Sequence, residues 1–96
     1  MREIISTKLF RRDVKREKKG KHAYILKTDL LLVIETLAKD KPLEVRFKDH
    51  RMIGAWRGWH DCYNCHIKPD LILLYRKPET NTLELLRLGS HSELRI

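Results

Sequence analysis

Apolar positions recur at helical spacing in the first half of the chain and at strand spacing in the second. Ile4 and Ile5, inside Arg2 to Ser6, predict a short opening strand. Phe10 and Val14 stand four apart on one face of a helix over about Thr7 to Lys19, with Ser6 or Thr7 as its cap and Gly20 as its stop. Leu26, Leu30, Val33, Ile34 and Leu37 keep the same spacing and predict a second helix from about His22 to Lys39, ended ahead of Pro42. Leu43 to Gly58 is irregular, with Phe47 and Trp56 as anchors and Gly54 and Gly58 as turn or bulge positions. Trp59 to Lys68 then reads as a strand and Pro69-Asp70 as a turn. The continuous run Leu71-Ile72-Leu73-Leu74-Tyr75 fits a central strand covered on both faces. Pro78-Glu79-Thr80-Asn81 makes the next turn, and Thr82 to Gly89 the last strand. The order is β-α-α-β-β-β. It predicts an α+β domain in which two N-terminal helices pack on a small, mostly antiparallel sheet.

Ninety-six residues suffice for one modest core, so residues 1–96 are read as a single domain. No segment reaches the roughly 18 consecutive apolar residues of a membrane span. The opening Met1-Arg2-Glu3-Ile4-Ile5-Ser6 lacks the apolar stretch of a secretory signal, so a cytoplasmic protein with no membrane partner is expected. Cys62 and Cys65 are then expected as free thiols.

Charge changes this picture. The formal net charge is +8, and much of it lies between Lys8 and Lys21. Lys8, Arg11, Arg12, Lys15, Arg16, Lys18, Lys19 and Lys21 stand there against Asp13 and Glu17 alone, a net of +6. Such a run is a solvated helix face in many proteins; it equally suits a nucleic-acid backbone or an acidic protein. Read as an RNA contact, it comprises Lys8, Arg11, Arg12, Lys15, Arg16, Lys18 and Lys19, with Lys48 and Arg57 added from the irregular segment.

Five polar residues of the C-terminal half carry candidate chemistry: His50, His66, Asp70, Arg87 and His91. Histidine exchanges protons near neutral pH, and arginine stays charged and presents a planar fork of donors to phosphate. Any one of them alone is ordinary: Asp70 suits a turn, and Arg87 could pair with Glu84 or Glu93. Their joint occurrence beside strands is what suggests a site for cutting RNA.

The segments Phe47-Lys48-Asp49-His50, Gly54-Ala55-Trp56, His66-Ile67-Lys68-Pro69-Asp70, Leu74-Tyr75 and Arg87-Leu88-Gly89-Ser90-His91 resemble the YafQ toxins. These belong to the RelE/ParE superfamily of bacterial type II toxin–antitoxin modules. Each motif is weak alone, and five in order make the match specific. The resemblance implies a ribosome-dependent endoribonuclease that cleaves mRNA in the decoding A site, lined by ribosomal RNA. It further implies a cognate antitoxin, in a heterodimer or heterotetramer. His50, His66, Asp70, Arg87 and His91 would occupy the active site, and a ribose 2′-hydroxyl would attack the adjacent phosphate without a metal. On this basis His91 is expected as general acid, Asp70 with His66 as base, Arg87 on the transition state, and His50 in orientation or proton transfer.

The chain departs from that pattern between Gly54 and His66, where it runs a few residues longer. The arginine–acid pair usual shortly before the histidine is filled by His60-Asp61 with a bulge after it, or by Tyr63-Asn64 with the excess upstream. Leu71 replaces a tryptophan, and Leu94 and Arg95 stand where an aromatic residue is usual. Cys62-Tyr63-Asn64-Cys65-His66 also spells the attachment signature of c-type haem, and with His60 it could offer four zinc ligands. A structural zinc site draws its second pair from a distant segment, and the motif lies in a predicted strand, so no metal and no cofactor are expected. Two competing readings remain: a ParE-like toxin that inhibits a protein such as gyrase, and a non-catalytic basic RNA-binding module. Neither has a use for several proton-transfer groups.

Overall fold

The apolar runs pair into one five-stranded sheet in the computed structural model, which spans residues 1–96. Its strands are β1 (Glu3–Ser6), β2 (His50–Arg51), β3 (Cys62–Lys68), β4 (Leu71–Arg76) and β5 (Thr82–Gly89), in spatial order β1-β5-β4-β3-β2. Only β1 and β5 run parallel; the other three pairs are antiparallel, as the pattern predicts. The helices are α1 (Lys8–Glu17), α2 (Asp29–Ala38) and a short α3 (His91–Leu94).

Strand alternation divides the interior in two. One face of the sheet, with Cys65, Ile67, Leu73, Tyr75, Leu83, Leu85 and Leu88, packs against Phe10 of α1 and against Leu30, Val33, Ile34 and Leu37 of α2. The other carries Cys62, Ile72, Leu74 and Leu86, covered by Trp56 and by Leu94 of α3. β4 lies at the centre, and all of Leu71 to Tyr75 are buried.

α1 does more than cover a face. β1 pairs with β5 only as far as Leu85, which leaves the rest of that strand edge without a neighbour. α1 and its cap fill the gap with polar groups. The Thr7 hydroxyl accepts the Phe10 N–H at 3.0 Å as N-cap and donates to the Leu86 carbonyl at 2.7 Å. Asp13 accepts the Leu88 N–H at 3.0 Å, and Arg16 donates to the Leu88 carbonyl at 2.8 Å. Buried backbone groups need partners, and here side chains of a helix stand in for a missing strand.

Three elements differ from the sequence expectation. The second helix begins at Asp29 rather than His22, after a short 3₁₀ turn at Ala23–Ile25. Ile25 and Leu26 are buried as a helical stripe would be, but the chain reaches the core there through the turn. Thr28 holds the N-cap position without a side-chain cap bond, and Asp29 places an acid in the first turn, where it suits the helix dipole. The irregular segment contributes the two-residue β2. Past β5 the chain forms α3, closed by a reciprocal cap: Ser90 Oγ accepts the Glu93 N–H at 3.1 Å, and Glu93 accepts the Ser90 N–H at 2.9 Å. The signal was Ser90-His91-Ser92-Glu93.

The extra residues before His66 now have a place. β3 is unbroken from Cys62 to His66, and its register shifts only beyond His66. The excess therefore lies upstream, and Tyr63-Asn64 stand before the histidine in the strand. There, Trp56 and Trp59 exchange backbone hydrogen bonds at 2.8 and 2.9 Å around a two-residue turn. Arg57 (φ 48°) and Gly58 (φ 87°) give it the twist that suits a tight hairpin. The indoles stack at 5.6 Å.

Candidate active site

Cross-strand register sets the histidines. His50 on β2 lies opposite Asn64 on β3, Asn64 opposite Leu74, and Leu74 opposite Arg87. His66 lies opposite Ile72. All therefore share the face away from α2. His91 approaches from outside the sheet as the first residue of α3. The His66 ring meets the His91 ring edge-on at 5.3 Å between centroids and the His50 ring at 6.3 Å.

Hydrogen bonds fix two of these rings. The Asp70 carboxylate, in the β3–β4 turn, accepts both the backbone N–H and the ring Nδ1–H of His91, each at 3.2 Å. Those donors, the backbone one foremost, hold the Asp70 carboxyl below the usual carboxylate range, and Lys21 adds to the pull. His50 Nδ1 donates to the Lys48 carbonyl at 2.7 Å, since a carbonyl can only accept. In both rings Nε2 is left for other work. His66 has no such anchor, and its proton is held less tightly than in an ordinary histidine. Burial is the main cause, followed by the charges of His91, Lys48 and His50.

A cleft of 490 Å³ opens beside this group, lined by Arg46, Phe47, Lys48, His66, Lys68 and His91 among others. Arg87 does not line it. Its guanidinium donates to Asp13 at 2.7 and 3.1 Å and belongs to a separate recess with Leu9, Arg12 and Arg16. Of the five expected residues, the structure gathers His50, His66, Asp70 and His91 and turns Arg87 toward α1. Its partner lies 74 residues away in the middle of a charge run, where no local pattern marks it.

The basic run is only partly a free surface. Lys8, Arg12, Lys15, Lys18 and Lys19 are exposed. Arg11 donates to Ser6, at 2.7 Å to its carbonyl and 3.0 Å to its hydroxyl. Arg16 is drawn into a carboxylate cluster of Asp13, Glu17 and Glu93 at 2.9 to 3.1 Å, so its guanidinium serves the fold. Arg57 stands 5.4 Å over the Trp56 ring at the hairpin tip. Sequence reasoning overlooked Lys68, two residues beyond His66, and Arg46, which the cleft brings beside both from 20 or more residues upstream.

Cys62 and Cys65 point to opposite faces of β3, each into a different part of the core. Burial pushes both thiols above the ordinary cysteine value. The shared zinc or haem arrangement spelled by the motif is thereby ruled out. Asn64, 6% exposed and flanked by His50 and His66, leaves its side-chain oxygen without a hydrogen-bond partner.

Residues 2–96 match the family described as bacterial toxin of type II toxin–antitoxin system, YafQ. The mRNA interferase toxin YafQ of Escherichia coli K12 is 33% identical over 94 residues, covering 97% of this chain and 95% of that one. Among solved structures, a copper-bound mutant toxin from Helicobacter pylori shares 38% identity at a TM-score of 0.80, over 98% of this chain and 99% of that chain. The YafQ structure in the Escherichia coli DinJ–YafQ toxin–antitoxin complex shares 29% at 0.79, over 97% and 96%. The chain belongs to the YafQ family of bacterial toxins from type II toxin–antitoxin systems.

Proposed function

We propose that this toxin is an mRNA interferase in which the three histidines carry the proton transfers of 2′-hydroxyl attack. The observation that carries the reading is the contrast between two touching imidazoles. His66 gives up its proton readily and can accept one from the 2′-hydroxyl as base. His91, oriented by Asp70 and with Nε2 free, can protonate the leaving 5′-oxygen. The two contacts at 3.2 Å favour Asp70 as the partner of His91 over a role as base beside His66. The new P–O bond forms as the 5′ P–O bond breaks, leaving a 2′,3′-cyclic phosphate and a 5′-hydroxyl. His50 orients the substrate or shares the proton through its free Nε2.

The pentacoordinate phosphorane needs cations. With Arg87 held by Asp13, Lys48 beside His66 is better placed for this than the arginine first expected. Exposed Lys8, Arg12, Lys15, Lys18 and Lys19 on and after α1 suit the phosphates of mRNA or of ribosomal RNA around a ribosomal A site. The antitoxin, the partner that defines such modules, would lay an acidic or amphipathic segment over α1 or the cleft, in a heterodimer or heterotetramer. No helix is long and apolar enough to cross a membrane, which accords with work beside cytoplasmic ribosomes.

Cleavage of a message by actively translating ribosomes, with 5′ ends mapped, tests this. His66→Ala and His91→Ala should each lower the rate by about 10²–10⁴-fold while the protein stays folded. Replacing the attacking 2′-hydroxyl with hydrogen should abolish the cut. Growth arrest undiminished in His91→Ala would instead favour a protein target.

A further inference from the structure

We infer that Arg46 and Lys68 form a subsite for a second RNA phosphate, one nucleotide from the phosphate at the histidines, and that Asp29 is the resident anion this phosphate displaces. The inference rests on the reading of the cleft as an RNA-cleaving site. Arg46 lies in the segment before β2 and Lys68 ends β3, and both line the cleft that His66 and His91 share. Asp29, at the start of α2, draws them together: its Oδ2 lies 3.4 Å from Lys68 Nζ and 3.8 Å from Arg46 Nη1.

Those separations decide the matter. Charge-assisted hydrogen bonds close to about 2.7–2.9 Å, as the Asp13–Arg87 pair does at 2.7 Å, whereas Asp29 attracts its two cations without bonding them tightly. The Arg46 guanidinium is otherwise held 4.3 Å over the Phe47 ring and 3.2 Å from the exposed Glu44. Its position is thus set by the ring and by Glu44, which accepts from Nε, while the donors of its two Nη groups remain for a phosphate. Lys48 lines the same cleft with no salt-bridge partner. A single strand laid with one phosphate at His66 and His91 would meet these cations with the next, in the way basic grooves track a backbone. A phosphodiester presents two charged oxygens, as the carboxylate it replaces does, and can reach both cations from within the cleft.

Purified protein titrated with uncleavable 2′-O-methyl oligoribonucleotides separates the possibilities. One ligand has two nucleotides; the other adds a third, abasic nucleotide and so gains a phosphate and sugar but no base. Wild type should bind the longer ligand about tenfold more tightly. Arg46→Gln with Lys68→Gln should erase that preference, and the slope of log affinity against log salt should flatten by about 0.7 for each cation that engages phosphate. Asp29→Asn should keep the preference and bind the longer ligand more tightly than wild type. A preference that survives the double substitution, or a wild type without one, overturns the subsite; a weaker Asp29→Asn overturns the displacement. Normal preference with no cleavage of ribosome-bound message would sink the catalytic reading and leave the subsite standing.

Discussion

Arg87 of β5 and Asp13 of α1 form a two-point ion pair, with Nε and Nη2 at 2.7 and 3.1 Å from the two carboxylate oxygens. Asp13 is 3% exposed, and it also accepts from Arg16 and from the Leu88 backbone. Removing it strands a half-buried guanidinium and a buried backbone N–H together. Asp13→Ala should cost about 3–5 kcal/mol in urea denaturation. A loss near zero would mean that the strand edge is held by packing alone.

The acid limb of the pH–rate profile should lie below the ordinary histidine value of about 6.5. A base works unprotonated, and burial with neighbouring charges keeps His66 unprotonated to lower pH. Lys48→Gln removes one of those charges, so the limb should move upward in single-turnover cleavage at saturating message. No shift, or a downward one, would detach His66 from that limb. The same depression makes the folded state resist protonation. Its stabilising contribution is complete above the unfolded histidine value and is lost as pH falls through the folded one.

Asn64 buries a side-chain oxygen with no partner in the protein. An unpaired buried polar atom costs stability, and leucine has the same branched outline without that cost. Asn64→Leu should raise stability by about 1 kcal/mol. A destabilised variant would reveal that the amide is satisfied in solution.

His91 depends on a four-residue helix that the Ser90–Glu93 cap closes. Ser90→Ala should destabilise by about 1 kcal/mol and lower kcat more than it raises KM, whereas Ser90→Thr should restore both. Unchanged kcat in Ser90→Ala would show that Asp70 alone suffices to place the ring.

Strands β3, β4 and β5 and the packing faces of both long helices were legible because periodicity reports which way a side chain faces. It does not report what lies opposite. Leu26 and Leu30 continue one stripe, so the break between them at Lys27-Thr28 was hidden until the 3₁₀ turn showed how the chain enters α2. The histidines could be named from their motifs. Their division of labour could not, because it follows from Asp70 reaching His91 across 21 residues and from the Lys48 carbonyl accepting the His50 Nδ1–H. Asp13 was the least visible: among basic neighbours in one helix, nothing local separates a solvated acid from a buried one.

The seam along the outer half of β5 has a bearing on assembly. An exposed strand margin is an invitation to a strand from another molecule. Here Thr7, Asp13 and Arg16 already occupy its donors and acceptors from Leu86 to Leu88. Gly89 keeps the passage narrow, since a methyl group there would sit 2.9 Å from the Arg16 guanidinium. An intruding strand would first have to unseat a helix, so crowded copies of the toxin are guarded at this margin against stacking into fibrils.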